Sequence, residues 1–297
     1  MATWQAHVVS TICKFAIKRP LKRSQTKETI RRVFNAPHPP VPRGCTASDE
    51  TIGGIRGERM VASNIASIGT MLYLHGGAYV ACSPQTHRAF TSWFAQQGWN
   101  VFAPDYRLAP EHLFPAQIED ATAVYKAMLA SGVDRKRFVV AGDSAGGNLT
   151  LALCLSLRNA GLPQPAAIAL FSPVTDFTWS GASIQANSGR CAMFSQSVLP
   201  AGAKLFLGEH DPRDPLASPY YADLKGLPPM VFHASGDEIL LDDSVRVAEH
   251  AKQAGIDVQI RVWPIVPHVW QILHRWIPEG RESLRIVQEF LRQRISS

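Results

Sequence analysis

Short apolar runs alternate with longer segments of helical periodicity along most of this chain, and the alternation limits the folds open to it. The predicted strands are residues 70–74, 100–103, 137–141, 166–171, 229–233 and 258–262, and the predicted helices are residues 85–97, 116–130, 145–160, 244–254 and 282–294. Because strand, helix and strand follow one another, we expect an α/β fold with a mostly parallel central sheet flanked by helices. The 297 residues suffice for one such domain and a small accessory region.

Residues 142–148 read GDSAGGN, directly after the predicted strand at 137–141. In an open α/β sheet, ligands bind where strands end and helices begin. A G-x-S-x-G turn holds its serine in a strained conformation, and its glycines lie where any side chain would collide with the neighbouring strand and helix. The pattern predicts that Ser144 is a nucleophile. The alternative is a plain glycine-rich turn between a strand and a helix.

A second glycine-rich sequence, His75-Gly76-Gly77-Ala78, follows the predicted strand at 70–74. Adjacent glycines leave backbone N–H groups that can point at the oxyanion which develops during acyl transfer. We expect the amides of Gly76, Gly77 and Ala145 to form this oxyanion hole. His75 is expected to shape the loop rather than to transfer protons.

A serine hydroxyl needs a base to accept its proton, and histidine is the usual base. His268 follows the last predicted strand closely, and Asp237 follows the strand before it. We therefore predict that His268 is the base and that Asp237 orients its imidazole ring. The chain order serine, aspartate, histidine is the one associated with the α/β-hydrolase fold.

Four motifs in register resemble those of the bacterial hormone-sensitive-lipase-like esterases, family IV of the lipolytic enzymes. They are HGGAYV at 75–80, DYRLAPE at 105–111 followed by FPA at 114–116, GDSAGG at 142–147, and the late aspartate and histidine. The resemblance implies an α/β-hydrolase fold and a carboxylic ester hydrolase that acts on short- to medium-chain acyl esters through a Ser-His-Asp triad and an acyl-enzyme. It implies no cofactor, a structural role for DYRLAPE, and dimers that pair through the last strand.

Two departures from the family pattern concern the base and the acid. The family commonly has glycine after the catalytic histidine, whereas Val269 follows His268 here. The acid motif usually reads D-P-L-x-D, whereas this chain reads Asp237-Glu-Ile-Leu-Leu-Asp242. Glu238 and Asp242 therefore remain rival acids.

Residues 178–208 interrupt the alternation, since they carry large apolar side chains without a clear strand. An insertion at the carboxyl end of a strand can cover a site at the edge of the sheet. We expect residues 1–45 and 178–208 to form a helical cap, and residues 46–177 and 209–297 to form the α/β-hydrolase catalytic domain.

Two further functions stay open on the sequence alone. Some relatives of this family are small-molecule receptors that keep the pocket and lack the catalytic histidine, which His268 makes the weaker interpretation here. The same triad and oxyanion hole also serve amide substrates. A phosphate-binding function is not supported, because the sequence contains neither G-x-G-x-x-G nor a glycine-lysine-serine loop.

The net charge of +6 lies in the N-terminal segment, because residues 1–32 carry eight Lys or Arg against Glu28 alone and the remainder sums to −1. This location argues against a nucleic-acid partner for the whole protein. Trp4, Val8, Ile12 and Phe15 recur at helical spacing. We expect this apolar stripe to pack on the body of the protein, a helix lying on a membrane surface being the alternative. No stable membrane insertion is expected, since no run reaches spanning length.

The five cysteines are scattered, with no C-x-x-C pair. The pattern argues against a disulfide framework and a zinc site, so we expect no metal and a reducing, cytoplasmic location.

Overall fold

The computed structural model describes residues 2–35 and 38–295, and within them one eight-stranded sheet forms the centre of the molecule. The strands are β1 (Cys45–Ile52), β2 (Ile55–Ala62), β3 (Gly69–Leu74), β4 (Trp99–Pro104), β5 (Phe138–Asp143), β6 (Ala167–Phe171), β7 (Met230–Ser235) and β8 (Val258–Trp263). Their order is β1-β2-β4-β3-β5-β6-β7-β8. β2 is antiparallel to both β1 and β4, and every other neighbouring pair is parallel. The six predicted strands and the predicted α/β fold are confirmed.

Helices cover both faces of this sheet, and further helices lie above the carboxyl ends of its strands. In the described residues they are α1 (Trp4–Cys13), α2 (Arg19–Arg23), α3 (Lys27–Phe34), α4 (Arg88–Gln96), α5 (Ala116–Ala130), α6 (Ala145–Asn159), α7 (Ser183–Ala186), α8 (Leu199–Leu207), α9 (Leu241–Gln253) and α10 (Pro278–Ile295). Alternate strand residues face opposite layers. Leu72 and Leu74 pack with α5, α6 and α9, whereas Met71 and Tyr73 pack with α4 and α10. No helix among the described residues is long and apolar enough to cross a membrane.

The β1–β2 hairpin at the sheet edge is absent from the sequence-based prediction. Both strands are rich in polar residues, so neither forms the apolar run by which the other strands are found. The signal that marks the hairpin is the pair Gly53-Gly54, with φ of 60° and 83°, between Ile52 and its partner Ile55. Two glycines at positive φ are typical of the tight turn that joins antiparallel strands.

The N-terminal helix presents the face opposite to the one expected. Trp4, Val8, Ile12 and Phe15 are 71%, 47%, 57% and 53% exposed. The prediction that this stripe packs on the body is therefore wrong. The face that contacts the body carries smaller residues, since Ala6 and Cys13 are buried and Val9 is half-buried. The prediction took the largest apolar residues at helical spacing as the packed face. In the structure the helix instead packs through its smaller residues, which let it approach the body closely.

The N-terminal segment and residues 178–208 meet above the carboxyl ends of the strands. Lys18 Nζ donates to the carbonyl oxygens of Ser188 at 2.6 Å and Cys191 at 2.8 Å. Leu21 and Ile30 share an apolar cluster with side chains of both segments and of the loop after β3. The two segments predicted to form a cap are thus packed together. Residues 1, 36, 37, 296 and 297 of the predicted regions lie outside the described residues.

Candidate active site

Ser144 lies in the sharp turn between β5 and α6. Its φ of 53° is rare for a residue other than glycine, and such conformations are held by their surroundings. The Ser144 amide donates to the Phe171 carbonyl at 2.8 Å, which ties the turn to β6. A Cβ on Gly146 would lie 2.0 Å from the Leu74 carbonyl oxygen, and one on Gly142 would lie 2.2 Å from that of Gly146. The predicted requirement for both glycines is confirmed, because the backbones approach too closely for a side chain.

His268 is brought to Ser144 by the loop after β8. Its Nε2 lies 2.9 Å from Ser144 Oγ, within hydrogen-bonding distance. His268 is 4% exposed, and Phe194 contacts its ring edge-on with ring centroids 5.1 Å apart. Val269, at the position where the family commonly has glycine, adopts the left-handed conformation with φ of 53°. The loop therefore keeps the backbone shape that glycine favours, and His268 reaches the serine.

The carboxylate that contacts His268 belongs to Glu238. His268 Nδ1 forms a short hydrogen bond with Glu238 Oε2, and Glu238 is 1% exposed. The other oxygen, Oε1, accepts from Ser172 Oγ and from the Ser235 amide, each at 2.8 Å. Both oxygens of this buried carboxylate therefore have hydrogen-bond partners, which fix its orientation toward His268.

Asp237, the predicted acid, does not contact His268. Its side chain is 30% exposed and lies 3.8 Å from Arg190. The placement of Asp237 beside the imidazole is corrected to Glu238, because the turn after β7 directs the second acidic side chain inward and the first outward. Asp242, the other rival acid, accepts from the Ser183 amide at 2.8 Å and so fixes α7. The sequence contains both neighbouring acids but not the direction in which each one points.

The loop after β3 brings backbone amides close to Ser144. The Gly76 amide donates to Asp143 Oδ1 at 3.1 Å, so it is already engaged, which contradicts its expected place in the hole. The amides of Gly77 and Ala78 have no hydrogen-bond partner within residues 2–35 and 38–295. Ala78 and Ala145 line the same cavity as Ser144. The free donors beside the serine are thus one residue further along the loop than Gly76.

Asp143 joins the glycine-rich loop to the serine turn. Besides Gly76, its carboxylate accepts from Tyr73 Oη at 2.8 Å and lies 3.3 Å from His87 Nε2. Burial opposes ionisation of this carboxyl, yet the nearby His87 and the hydrogen bonds from His87 and Tyr73 lower the pKa of Asp143 below its usual value. A charged, buried Asp143 therefore holds the two loops together.

His75 and the DYRLAPE segment take structural places, as expected. Burial and the neighbouring His87 lower the pKa of His75 to about 3, so its ring is neutral near pH 7. Its Nδ1 donates to the Gly76 carbonyl at 2.8 Å. In DYRLAPE, Glu111 pairs with Arg31 of α3 at 2.6 Å, which fixes the N-terminal segment to the body.

An apolar cavity of about 90 Å³ opens beside Ser144. Its walls come from the serine turn, the N-terminal segment and residues 174–203, including Leu21, Ile30, Phe34, Val174, Phe177, Trp179, Phe194 and Leu199. Trp179 has φ of 60°, and together with Phe177 and Ala203 it also borders a wide groove of about 560 Å³ that is open to solvent. Trp179 thus stands between the cavity and the groove.

Comparisons with known proteins agree with this geometry. The pattern of the α/β-hydrolase fold family matches residues 71–272. An acetyl-hydrolase of Streptomyces hygroscopicus is 42% identical over 224 residues, 75% of each chain. An esterase of Acinetobacter venetianus is 34% identical over 97% of this chain and 96% of its own. A crystal structure of an esterase from the bacterial hormone-sensitive lipase family is 36% identical, has a TM-score of 0.92, and covers 99% of this chain and 100% of its own. The chain belongs to the α/β-hydrolase fold family and, within it, to the bacterial hormone-sensitive-lipase-like esterases.

Proposed function

We propose that this esterase hydrolyses short- to medium-chain acyl esters through Ser144, His268 and Glu238. The observation that carries the proposal is the continuous contact from Ser144 Oγ through both nitrogens of His268 to the buried Glu238, at the end of an apolar cavity. This is the arrangement in which a base activates a serine and a carboxylate holds the base in the correct tautomer.

Ser144 Oγ attacks the ester carbonyl carbon while its proton passes to His268 Nε2. The resulting tetrahedral intermediate collapses as the bond to the alcohol oxygen breaks, and the alcohol leaves with the proton from Nε2. Water then attacks the acyl-enzyme and gives a proton to His268. The carboxylic acid leaves, and the proton returns to Ser144. Glu238 stays ionised throughout and stabilises the imidazolium.

The oxyanion of each tetrahedral intermediate is assigned to the amides of Gly77, Ala78 and Ala145. Ala78 and Ala145 line the cavity at Ser144, and Ala145 lies at the N-terminus of α6, where backbone donors have no partner within the helix. Preorganised donors of this kind stabilise developing negative charge without rearrangement. Asp143 contributes indirectly, since it positions the loop through Gly76.

The acyl chain occupies the apolar cavity. Its volume of about 90 Å³ is smaller than the roughly 150 Å³ of an apolar cavity that holds one benzene ring, and this favours short acyl groups. Residues 2–35 and 178–208 act as a cap, because Leu21, Ile30 and Phe34 of the first and Trp179 and Leu199 of the second close the cavity.

The proposal is tested with a series of p-nitrophenyl esters from acetate to palmitate. We expect wild type to hydrolyse the short members and Ser144→Ala to lose at least about 10⁴-fold in kcat, as removal of a catalytic serine does elsewhere. Wild type should also react with a fluorophosphonate, while the variant should not. Labelling of Ser144→Ala at the same rate, or a wild type inactive on every ester, would refute the assignment.

A further inference from the structure

The N-terminal segment carries an apolar stripe that covers nothing. Trp4, Val8, Ile12 and Phe15 follow one another at intervals of four, four and three residues, so they form one line along the helix. All four are about half exposed or more, although large apolar side chains are usually buried or scattered singly. A continuous exposed stripe of this kind marks a surface that meets another apolar phase.

The helix that carries this stripe is fixed to the body. The Thr3 amide donates to Glu279 Oε1 at 2.6 Å and the Thr3 hydroxyl donates to Oε2 at 3.0 Å. Near the other end, Lys18 Nζ donates to two carbonyl oxygens of the 178–208 segment. Ala6 and Cys13 lie buried beneath. The stripe is therefore presented outward by a helix held at both ends.

Basic residues continue the same face. Arg19, Lys22 and Arg23 are exposed, and they follow Phe15 at helical spacing. The Arg19 guanidinium lies 3.9 Å from the centre of the Phe15 ring, so apolar and cationic parts adjoin. In the part of the chain that the structure describes, neither Lys22 nor Arg23 pairs with a carboxylate, and the same holds for the exposed Lys14.

We propose that residues 4–23 dock this protein on an anionic lipid surface, with the helix lying in the plane of the interface. The apolar side chains of the stripe enter the acyl boundary, and the cations of α2 contact the head groups. The charge of this segment distinguishes between two possible partners for the stripe, a second copy of the chain and an anionic lipid surface. Residues 4–23 carry five Lys or Arg and no acidic residue, so in a symmetric contact with a second copy, where the same patch meets itself, two patches of +5 would be brought together. An anionic lipid surface supplies both the apolar phase and the opposite charge.

This docking would place the cavity close to the lipid. Leu21 and Gln25 line the cavity from the segment that carries the stripe. Apolar esters concentrate in lipid, so an enzyme bound there meets more substrate than one in solution. That consequence rests on the proposed ester hydrolysis, whereas the binding itself does not.

The test measures flotation of the full chain with two kinds of vesicle, pure phosphatidylcholine and an equal mixture of phosphatidylcholine and phosphatidylglycerol. We expect wild type to bind the anionic vesicles at least about tenfold more tightly, with the preference falling as salt rises. Trp4→Ser/Phe15→Ser and Lys22→Glu/Arg23→Glu should each weaken binding about tenfold or more. Ile65→Ser, in the loop before β3, and Lys252→Glu, near the end of α9, change exposed residues outside residues 4–23, and both should bind as wild type does.

Each variant is also assayed on p-nitrophenyl acetate, a soluble ester, where we expect rates within about twofold of wild type. These rates show that the variants are folded, and binding measured on Ser144→Ala separates this proposal from the proposed activity. Absence of wild-type binding to anionic vesicles, or equal binding by all variants, would overturn the proposal. A dimer in gel filtration that Trp4→Ser/Phe15→Ser dissociates, without vesicle binding, would assign the stripe to a second copy instead.

Discussion

Glu238 holds His268 from the side opposite Ser144, so that the imidazole ring spans the distance between a buried carboxylate and the serine hydroxyl. Asp237, one residue earlier, faces Arg190 and solvent. Two adjacent acids in one loop therefore occupy environments that differ in burial, in partners and in direction.

Replacing each of these acids in turn separates their roles. Glu238→Gln keeps the side-chain length but removes the charge that stabilises the imidazolium and selects its tautomer, so we expect kcat to fall about 10³- to 10⁴-fold. Asp237→Asn should change kcat less than about threefold. The measurement is the steady-state hydrolysis of p-nitrophenyl butyrate at pH 8. If Asp237→Asn lost the larger share of activity, Asp237 rather than Glu238 would support the base.

The close approach of the serine turn to β3 predicts a strong effect of one methyl group. Gly146→Ala would place its Cβ 2.0 Å from the Leu74 carbonyl oxygen and 2.5 Å from that of His75. Backbone cannot give way cheaply, so we expect the free energy of unfolding to fall by about 3 kcal/mol or more. Gly189→Ala is the control, since nothing lies within 4 Å of its Cβ position. Urea unfolding followed by tryptophan fluorescence compares the two, and similar midpoints would contradict the geometry.

Trp179 lines both the cavity beside Ser144 and the neighbouring groove, so we expect it to limit the length of the acyl chain. In Trp179→Ala, the cavity should open toward the neighbouring groove, and we expect the ratio of kcat/KM for octanoate over butyrate to rise about tenfold. The matched change Trp276→Ala removes an exposed indole outside the cavity and should leave the ratio unchanged. Equal ratios in Trp179→Ala and wild type would show that another wall limits the chain.

The buried Asp243 at the start of α9 predicts how stability depends on pH. Burial raises the pKa of its carboxyl to about 7, although Oδ2 accepts from the Thr175 amide at 2.6 Å and the Asp176 amide at 3.0 Å. In the unfolded chain the value is about 3.9. The native state thus retains the proton to higher pH, so the stabilisation is complete below about pH 4 and is lost as pH rises through about 7.

The pH-dependence is read from urea unfolding at pH 5 and pH 8. Wild type should lose up to about 3 kcal/mol between the two values through this group. Asp243→Asn keeps an oxygen that can accept from both amides, and it has no titrating proton. Its free energy of unfolding should therefore decrease between pH 5 and pH 8 by up to about 3 kcal/mol less than that of wild type. Asp49→Asn, at an exposed position on β1, should decrease as wild type does. A decrease in Asp243→Asn as large as in wild type would mean that this carboxyl is ionised at both values.

The sequence predicts the fold better than it predicts the direction of single side chains. The helix expected at residues 116–130 is observed as Ala116–Ala130, because its boundaries coincide with Pro115 and Ser131. Ser144 and His268 are predicted because each follows a sheet strand, the fully buried β5 for Ser144 and the edge strand β8 for His268. Asp237 and Gly76 are misplaced by one residue each, and in a loop one residue reverses the direction of a side chain or an amide.

The exposed stripe at residues 4–15 shows a related limit. The segment is helical, as its apolar spacing predicts. Which face of the helix packs on the body depends on the shape of the surface beneath it, and that shape is known only once the whole chain has folded. The large apolar residues at helical spacing therefore mark the face proposed to meet a lipid surface. They do not mark the face that packs on the body of the protein.

The residues that line the cavity come mostly from different segments than the groups assigned to the reaction, and this affects how the enzyme can diversify. Every group assigned to proton transfer or to the oxyanion lies just after the carboxyl end of a sheet strand, in a loop or at the first residue of α6. Leu21, Ile30, Trp179 and Leu199 of the cavity wall come from segments outside the sheet. Mutations in those segments can remodel substrate preference while the reaction machinery stays intact. New selectivities are thus accessible by single steps that pass through active intermediates, and laboratory evolution of this esterase should begin there.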